Sequence, residues 1–184
     1  RSELLAATLF FTAWLAFRKG RTGWAAVAYF LGALAKESAI TFPAIAMLDM
    51  ALSEGGLRRV IQSWRRFAVL AIAGFSYLGL RFAVLGSLGI PAGGQYLHGT
   101  VTLMQRWITS GRVFLQYFRL LFAPVQVTGD YDFNSVPLAT VRDWDAWLGL
   151  ALIAGCLFLS IRYKKSRPML SLGILFFYVT VLPV

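Results

Sequence analysis

The sequence predicts an all-α, polytopic bundle of transmembrane helices, on three observations. Hydrophobic residues make up 58% of the 184-residue chain and charged residues only 14%, whereas a soluble domain is about half apolar and roughly a quarter charged. The apolar residues fall in long blocks. The basic residues, which give a formal net charge of +10, cluster at the ends of these blocks, where membrane proteins keep the charges that orient them. This placement argues against a nucleic-acid-binding surface.

Six apolar segments are predicted to span the membrane. A spanning helix needs roughly 17–25 apolar residues, or slightly fewer where end residues extend toward the headgroups. The segments are 3–17, 24–35, 38–53, 67–90, 146–161 and 169–184. Because the chain begins without a methionine and ends inside an apolar run, we expect 1–184 to be a single transmembrane domain cut at both ends from a longer protein.

Three basic clusters predict the orientation of these spans. They follow the first, third and fifth segments and contain Arg18, Lys19, Arg21, Arg58, Arg59, Arg65, Arg66, Arg162, Lys164, Lys165 and Arg167. The positive-inside rule places all three clusters in the cytoplasm. This works only if 24–35 and 38–53 are separate spans joined by a tight outer turn. Lys36 and Glu37 then lie at the outer surface, where a charge costs far less than the roughly 2.5–3.5 kcal/mol of a helix centre.

The least apolar part of the chain, 86–145, is predicted to be an outer loop that contains an amphipathic helix over 102–122. Five polar residues recur there at helical spacing against an apolar face. They are Gln105, Thr109, Arg112, Gln116 and Arg119. If this helix crossed the membrane, the basic loop after segment 146–161 would move outside. We therefore expect the helix to lie at the outer interface or to re-enter it.

The charged residues outside the cytoplasmic clusters fall mostly on the predicted outer side. They are Arg1, Glu3, Lys36, Glu37, Arg81, Arg106, Arg112, Arg119, Asp130, Asp132, Arg142, Asp143 and Asp145. Such a group suits an anionic lipid headgroup, because Lys and Arg bind phosphate while a carboxylate activates or positions an acceptor. Asp49, near the inner end of its span, is instead expected to pair with the adjacent basic residues.

Each candidate also has a purely structural interpretation. Lys36 and Glu37 could form an interfacial ion pair that closes a helical hairpin, and Arg81 could extend to the outer headgroups. The acids around Tyr131 could be turn residues. One histidine and one cysteine cannot build a usual zinc site, and no phosphate-binding loop or dinucleotide fingerprint is present. No bound cofactor is predicted, and metal dependence stays open.

Three stretches, RSELLAATLFF, LGALAKESAITFPAIAMLD and YFRLLFAPVQVTGDYDF, occur in this order along the chain. In order and spacing they resemble the membrane part of bacterial relatives of the transmembrane and tetratricopeptide-repeat-containing O-mannosyltransferases, which belong to the GT-C superfamily. The resemblance implies a membrane glycosyltransferase that moves a sugar from a polyprenyl-phosphate-linked donor to an acceptor hydroxyl at the outer membrane face. The acceptor could be a protein, while the repeats usual after the membrane part are absent from this chain.

The resemblance also implies site residues, because Glu3, Lys36, Glu37, Asp130 and Tyr131 match positions of the family's motifs. The usual catalytic base of GT-C enzymes lies in the first outer loop, which would precede this chain. From their positive charge at the outer side, we expect Lys36 and Arg81 to contact the donor phosphate and stabilise the leaving group, with Glu37 orienting Lys36. In full, the candidate catalytic residues are Glu3 and Asp130, and the candidate substrate-binding residues are Arg1, Lys36, Glu37, Arg81 and Tyr131.

A non-catalytic membrane protein is the alternative. A transporter, a flippase or an assembly subunit for lipid-linked or anionic substrates would also line an outer cavity with charges. Transporters often show inverted repeats and helices broken near the midplane. No repeat is visible here, and the charges gather at one face, which favours the enzyme. An O-antigen-ligase-like or polymerase-like enzyme is a third possibility. It would use the same class of lipid-linked donor but would need a longer outer loop with other motifs. In each case we expect an integral protein, in a bacterial inner membrane with its site facing the periplasm.

Overall fold

The computed structural model describes residues 2–53, 56–86, 102–123 and 137–181, and these residues form helices, turns and short connections without a strand. The predicted all-α class is confirmed for them. The helices are α1 (Ser2–Arg18), α2 (Thr22–Ala35), a 3₁₀ helix (Glu37–Thr41), α3 (Phe42–Leu52), α4 (Gly56–Gln62), α5 (Trp64–Leu85), α6 (Leu103–Phe122), α7 (Trp144–Tyr163) and α8 (Pro168–Val181).

The chain divides into two compact units. The first comprises 1–90 and 160–184, with α1 to α5, the end of α7 and α8; the second comprises 91–159, with α6 and most of α7. The prediction of a single transmembrane domain over 1–184 stays a prediction.

Among the described residues, two helices are long and apolar enough to cross a membrane. They are α5, with 22 residues, and α7, with 20. At 1.5 Å per residue they are about 33 and 30 Å long, close to the roughly 30 Å of a bilayer core. The helices α1, α2, α3 and α8 have 17, 14, 11 and 14 residues, so they reach about 26 Å at most. Six full-length spans are therefore not supported.

The apolar surfaces of α5 and α7 are mostly exposed. Only 17% of the most apolar window of each helix is buried. Phe75 and Val84 of α5 are 72% and 73% exposed, and Phe158 of α7 is 66% exposed. In water each such side chain would forgo on the order of 1.5–3 kcal/mol of burial. An apolar helix of a soluble domain lies in the core instead, so these surfaces indicate membrane association.

The first three α-helices run in alternating directions, as contacts at their two ends show. At one end, Glu3 in the first turn of α1 binds Lys36, which follows the last residue of α2. At the other end, Trp14 near the end of α1 donates to the carboxylate of Asp49 in α3 at 2.8 Å. We call these the Lys36 end and the Asp49 end of the first unit.

Helix α5 runs from the Asp49 end to the Lys36 end. Near its beginning, Arg66 donates through Nε to Oγ1 of Thr22 at 3.1 Å and through Nη2 to the carbonyl of Phe17. One turn before its end, Arg81 binds Glu37 at 2.6 Å. Residues of the first two basic clusters thus gather at the Asp49 end, opposite Lys36 and Glu37.

The predicted break between the second and third apolar segments is confirmed. Lys36 adopts an extended backbone, with φ −156° and ψ 135°, and thereby ends α2. The 3₁₀ helix begins at Glu37, and Pro43 lies in the first turn of α3, where its missing amide hydrogen costs nothing. The core below this break is built on Phe42 and Ile45, both fully buried.

In the second unit, α6 confirms the predicted amphipathic helix over 102–122; its place at a membrane interface stays a prediction. Thr102 caps the helix, because its Oγ1 accepts from the amide of Gln105 at 3.3 Å while the Gln105 side chain accepts from the amide of Thr102 at 3.1 Å. Two glycines, Gly111 of α6 and Gly149 of α7, let the helices cross with their backbones in contact. A Cβ on Gly149 would overlap the carbonyl of Gly111.

Candidate functional site at the Lys36 end

Four residues predicted from the sequence meet at the Lys36 end of the first unit. They are Glu3 of α1, Lys36 after α2, Glu37 of the 3₁₀ helix and Arg81 of α5. Two ion pairs join them, one between Glu3 and Lys36 and one between Glu37 and Arg81. Residues 78 positions apart in sequence thus form one charged group with two cations and two carboxylates.

Lys36 holds its partner loosely. The extended backbone at Lys36 directs its side chain beyond the end of α2 to Oε1 of Glu3. The Glu3 side chain is 73% exposed and that of Lys36 is 39% exposed. Exposed ion pairs of this kind contribute little to stability because water screens them and the long side chains lose freedom. The Lys36 ammonium can therefore exchange Glu3 for another anion at little cost.

Arg81 is the more enclosed of the two cations. Its Nη1 binds Oε2 of Glu37 at 2.6 Å and also donates to the hydroxyl of Tyr77 at 3.0 Å. Its side chain is 21% exposed, against 58% for Glu37. Tyr77 lies one helical turn before Arg81, a spacing that brings side chains together. Tyr77 was not among the predicted site residues. Its position four residues before Arg81 in a predicted helix could have indicated this contact.

The expected role of Glu37 is corrected by this geometry. The sequence predicted that Glu37 orients Lys36, its neighbour in the chain. In the structure Glu37 binds Arg81, and Lys36 binds Glu3. The reason is local, because the extended Lys36 and the 3₁₀ turn that starts at Glu37 send consecutive side chains to different helices.

Two clefts open on either side of Lys36. The first has a volume of about 390 Å³ and lies between α1, the 3₁₀ helix and α8, with Glu3 and Lys36 at its border. Its walls are mainly apolar and include Phe10, Phe11 and Phe176. The second, of about 510 Å³, lies between α2 and α5 and is lined by Lys36, Glu37, Tyr77, Leu80 and Arg81, among others. Both clefts are mainly apolar, and Lys36 borders each of them, beside Glu3 in the first and beside Glu37 and Arg81 in the second.

Three of the predicted site residues, Arg1, Asp130 and Tyr131, lie outside the described residues. Asp49 lies at the other end of the first unit. Its Oδ2 accepts from Nε1 of Trp14 at 2.8 Å and lies 3.7 Å from Nε of Arg18. Asp49 was expected to pair with the basic cluster that follows its own segment, but its ion-pair partner in the structure is Arg18 at the end of α1, because α1 and α3 bring the ends that precede their basic clusters together.

Arg112, a member of the predicted outer charges, has a structural role in the second unit. Its guanidinium binds both carboxylate oxygens of Asp145 at 2.9 and 3.0 Å, Asp143 at 3.1 Å and the carbonyl of Pro137 at 2.9 Å. The hydrogen bond to Asp145 raises the pKa of Arg112. The pKa of Asp143 is lowered, chiefly because the amide of Thr140 donates to its carboxylate. These partners engage all three nitrogens of the Arg112 guanidinium.

No group of three His, Cys, Asp or Glu side chains placed to hold a metal occurs among the residues that the structure describes. No family model, no curated protein and no solved structure matches this chain. The GT-C resemblance therefore depends on the sequence motifs alone. The Lys36 end contributes the two cations and two carboxylates that a proposed function must use.

Proposed function

We propose that the chain forms the membrane part of a GT-C-type glycosyltransferase, which transfers a sugar from a polyprenyl-phosphate-linked donor to an acceptor hydroxyl. The observation that carries the proposal is the position of Lys36. It lies where an apolar cleft, suited to a polyprenyl chain, adjoins a second cleft whose wall carries Glu37 and Arg81. A lipid phosphate has the same two parts, an apolar chain and an anion.

The donor phosphate binds between Lys36 and Arg81 in this proposal. The phosphate replaces Glu3 on Lys36, since charge-assisted hydrogen bonds from ammonium and guanidinium groups to phosphate are among the strongest in proteins. The polyprenyl chain lies in the cleft lined by Phe10, Phe11 and Phe176.

Sugar transfer then follows from this arrangement. The acceptor hydroxyl attacks the anomeric carbon, the bond from that carbon to the phosphate oxygen breaks, and the phosphate leaves with the electron pair. Lys36 and Arg81 stabilise the negative charge on the leaving phosphate, an effect that is often worth about 10²–10³-fold in rate for one donor. The hydroxyl proton passes to a carboxylate. Glu3, once released from Lys36, and Asp130 are the candidates in this chain.

For the membrane arrangement, we propose a GT-C-like bundle in which α1, α2, α3 and α8 cross as shorter helices beside α5 and α7. Local thinning of the bilayer and extended end residues accommodate short helices at modest cost. The arginines at the Asp49 end support a cytoplasmic position for that end. The Lys36 end then faces the periplasm of a bacterial inner membrane.

The test is sugar transfer by the full-length enzyme with Lys36→Ala. We expect transfer to be lost while expression and membrane insertion are unchanged, because the leaving phosphate loses a cation. Lys19→Ala is the matched control, since Lys19 is also exposed but lies after α1 at the other end. Wild-type turnover by Lys36→Ala would refute the role. Movement of the lipid donor across vesicles without any sugar transfer would instead support the transporter or flippase alternative.

A further inference from the structure

A separate polar cavity lies at the Asp49 end of the first unit, at the opposite end of α1 from Glu3. Its volume is about 170 Å³. Four helices contribute charged side chains to its wall, namely α1, α3, α4 and α5. These side chains are Arg18, Asp49, Arg59 and Arg66. Among the described residues, three cations and one carboxylate therefore line the cavity.

Arg66 is held rigidly at this cavity by neutral partners. Its Nε donates to Thr22 at 3.1 Å, its Nη2 donates to the carbonyl of Phe17, and its guanidinium lies 4.1 Å from the centre of the Phe17 ring. The described residues give it no carboxylate within ion-pair distance. A half-buried cation held by neutral partners is stabilised further by a nearby anion, because the anion offsets part of the cost of burying the charge.

Asp49, the carboxylate that the described residues contribute to the cavity, is already engaged elsewhere. Asp49 accepts the hydrogen bond from Trp14 at 2.8 Å, and its nearest cation is Arg18 at 3.7 Å. Arg59 lies near enough to Arg66 for their charges to repel each other. An anion placed among the three arginines would be attracted by all of them, and guanidinium groups match the geometry of phosphate oxygens in pairs.

We propose that this cavity binds a phosphoryl anion, carried either by an anionic lipid headgroup or by a small soluble phosphate. The volume of the cavity, about 170 Å³, supports this class of ligand. Pockets for drug-sized ligands are larger, about 300–1,000 Å³, whereas a phosphoryl group is small. Leu57 and Ile61 of the adjoining helix α4 are each 66% exposed, which gives a lipid headgroup an apolar surface for its chains. The site is independent of the sugar-transfer proposal, since none of its residues belongs to the Lys36 end.

The experiment compares two neighbouring arginines of α4 in the full chain. Both arginines are exposed, but Arg59→Gln removes a cation from the cavity wall, whereas Arg58→Gln removes the same charge from a position that does not line the cavity. Binding is measured with two probes. One is phosphatidylglycerol in phosphatidylcholine nanodiscs, followed by native mass spectrometry, and the other is inorganic phosphate in neutral detergent, followed by calorimetry.

We expect saturable binding of at least one probe, weakened about 10-fold or more by Arg59→Gln, because a lost charge-assisted hydrogen bond has an effect of this order. Arg58→Gln should weaken it less than about 2-fold. Binding of the lipid alone assigns the site to a headgroup, and binding of inorganic phosphate assigns it to a soluble anion. Equal losses in the two variants, or no saturable binding of either probe, would overturn the proposal. Arg66→Lys, which keeps the charge but loses the forked geometry, should also weaken binding if the variant retains wild-type helicity.

Discussion

The crossing of α6 and α7 gives the sharpest structural prediction, through the substitution Gly149→Ala. A Cβ at this position would overlap the carbonyl oxygen and carbonyl carbon of Gly111. These are backbone atoms, so no side-chain rotation can make room, and the two helices must move apart. The matched control is Gly155→Ala, on the same helix, where a Cβ meets nothing within 4 Å.

The two substitutions should have opposite effects on stability. Overpacking a tight contact costs typically about 1–3 kcal/mol, and the upper half of that range applies where the obstacle is backbone. Replacing glycine by alanine inside a helix raises the free energy of unfolding by up to about 1 kcal/mol through helix propensity alone. We therefore expect Gly149→Ala to lower the free energy of unfolding by about 1–2 kcal/mol. Gly155→Ala should leave it unchanged or raise it by up to about 1 kcal/mol.

Thermal unfolding in detergent, followed by helical circular dichroism at one scan rate, measures this difference. For a chain of this size, 1 kcal/mol corresponds to roughly 2–4 °C in the unfolding midpoint. Gly149→Ala should therefore unfold about 2–8 °C below the wild type. Midpoints of Gly149→Ala and Gly155→Ala that agree within about 1 °C would refute the backbone contact between α6 and α7.

Two further predictions concern the ion pairs of the second unit. Arg112→Gln should speed amide hydrogen exchange in the first turn of α7, because Asp145 and Asp143 lose their shared cation. The control Arg119→Gln, on the exposed face of α6, should leave this exchange unchanged. Equal exchange rates in the two variants would contradict the role of Arg112. Folding lowers the pKa of the Asp143 carboxyl below its ordinary value of 3.8. The Asp143 carboxylate therefore contributes its full stabilisation above pH 3.8, and this stabilisation is lost as the pH falls through the lower pKa of the folded protein. The difference in unfolding midpoint between wild type and Asp143→Asn should thus be present at pH 7 and shrink below pH 3.8; a difference that stays constant with pH would argue against this titration.

The helical elements followed largely from the sequence. The break at Lys36 was predictable because two charges interrupt an apolar run, and α6 was predictable from a polar stripe at helical spacing. The lengths of the spans were not. Segment 38–53 begins as a 3₁₀ helix, so α3 is shorter than the apolar segment. The helices α2 and α7 are instead longer than segments 24–35 and 146–161, because polar residues at helix ends extend the regular helix beyond the apolar run. The short helix α4, inside a basic loop, was also missed.

The candidate site was predictable in its members but not in its pairing. Charges at predicted outer ends identified Glu3, Lys36, Glu37 and Arg81 as a group. Which carboxylate binds which cation depends on how helices far apart in sequence are aligned, and no local periodicity records that alignment. For the same reason, neither the contact between Gly111 and Gly149 nor the shared cavity of Arg59 and Arg66 could be predicted from the sequence.

Binding of a polyprenyl phosphate at the Lys36 end can be measured by equilibrium titration. Polyprenyl phosphate of defined length would be titrated into the protein in phosphatidylcholine nanodiscs, with Lys36→Ala and Lys19→Ala measured in parallel. We expect saturable binding that Lys36→Ala weakens about 10-fold or more and that Lys19→Ala leaves at the wild-type value. Equal affinity of Lys36→Ala and the wild type for polyprenyl phosphate would contradict this expectation.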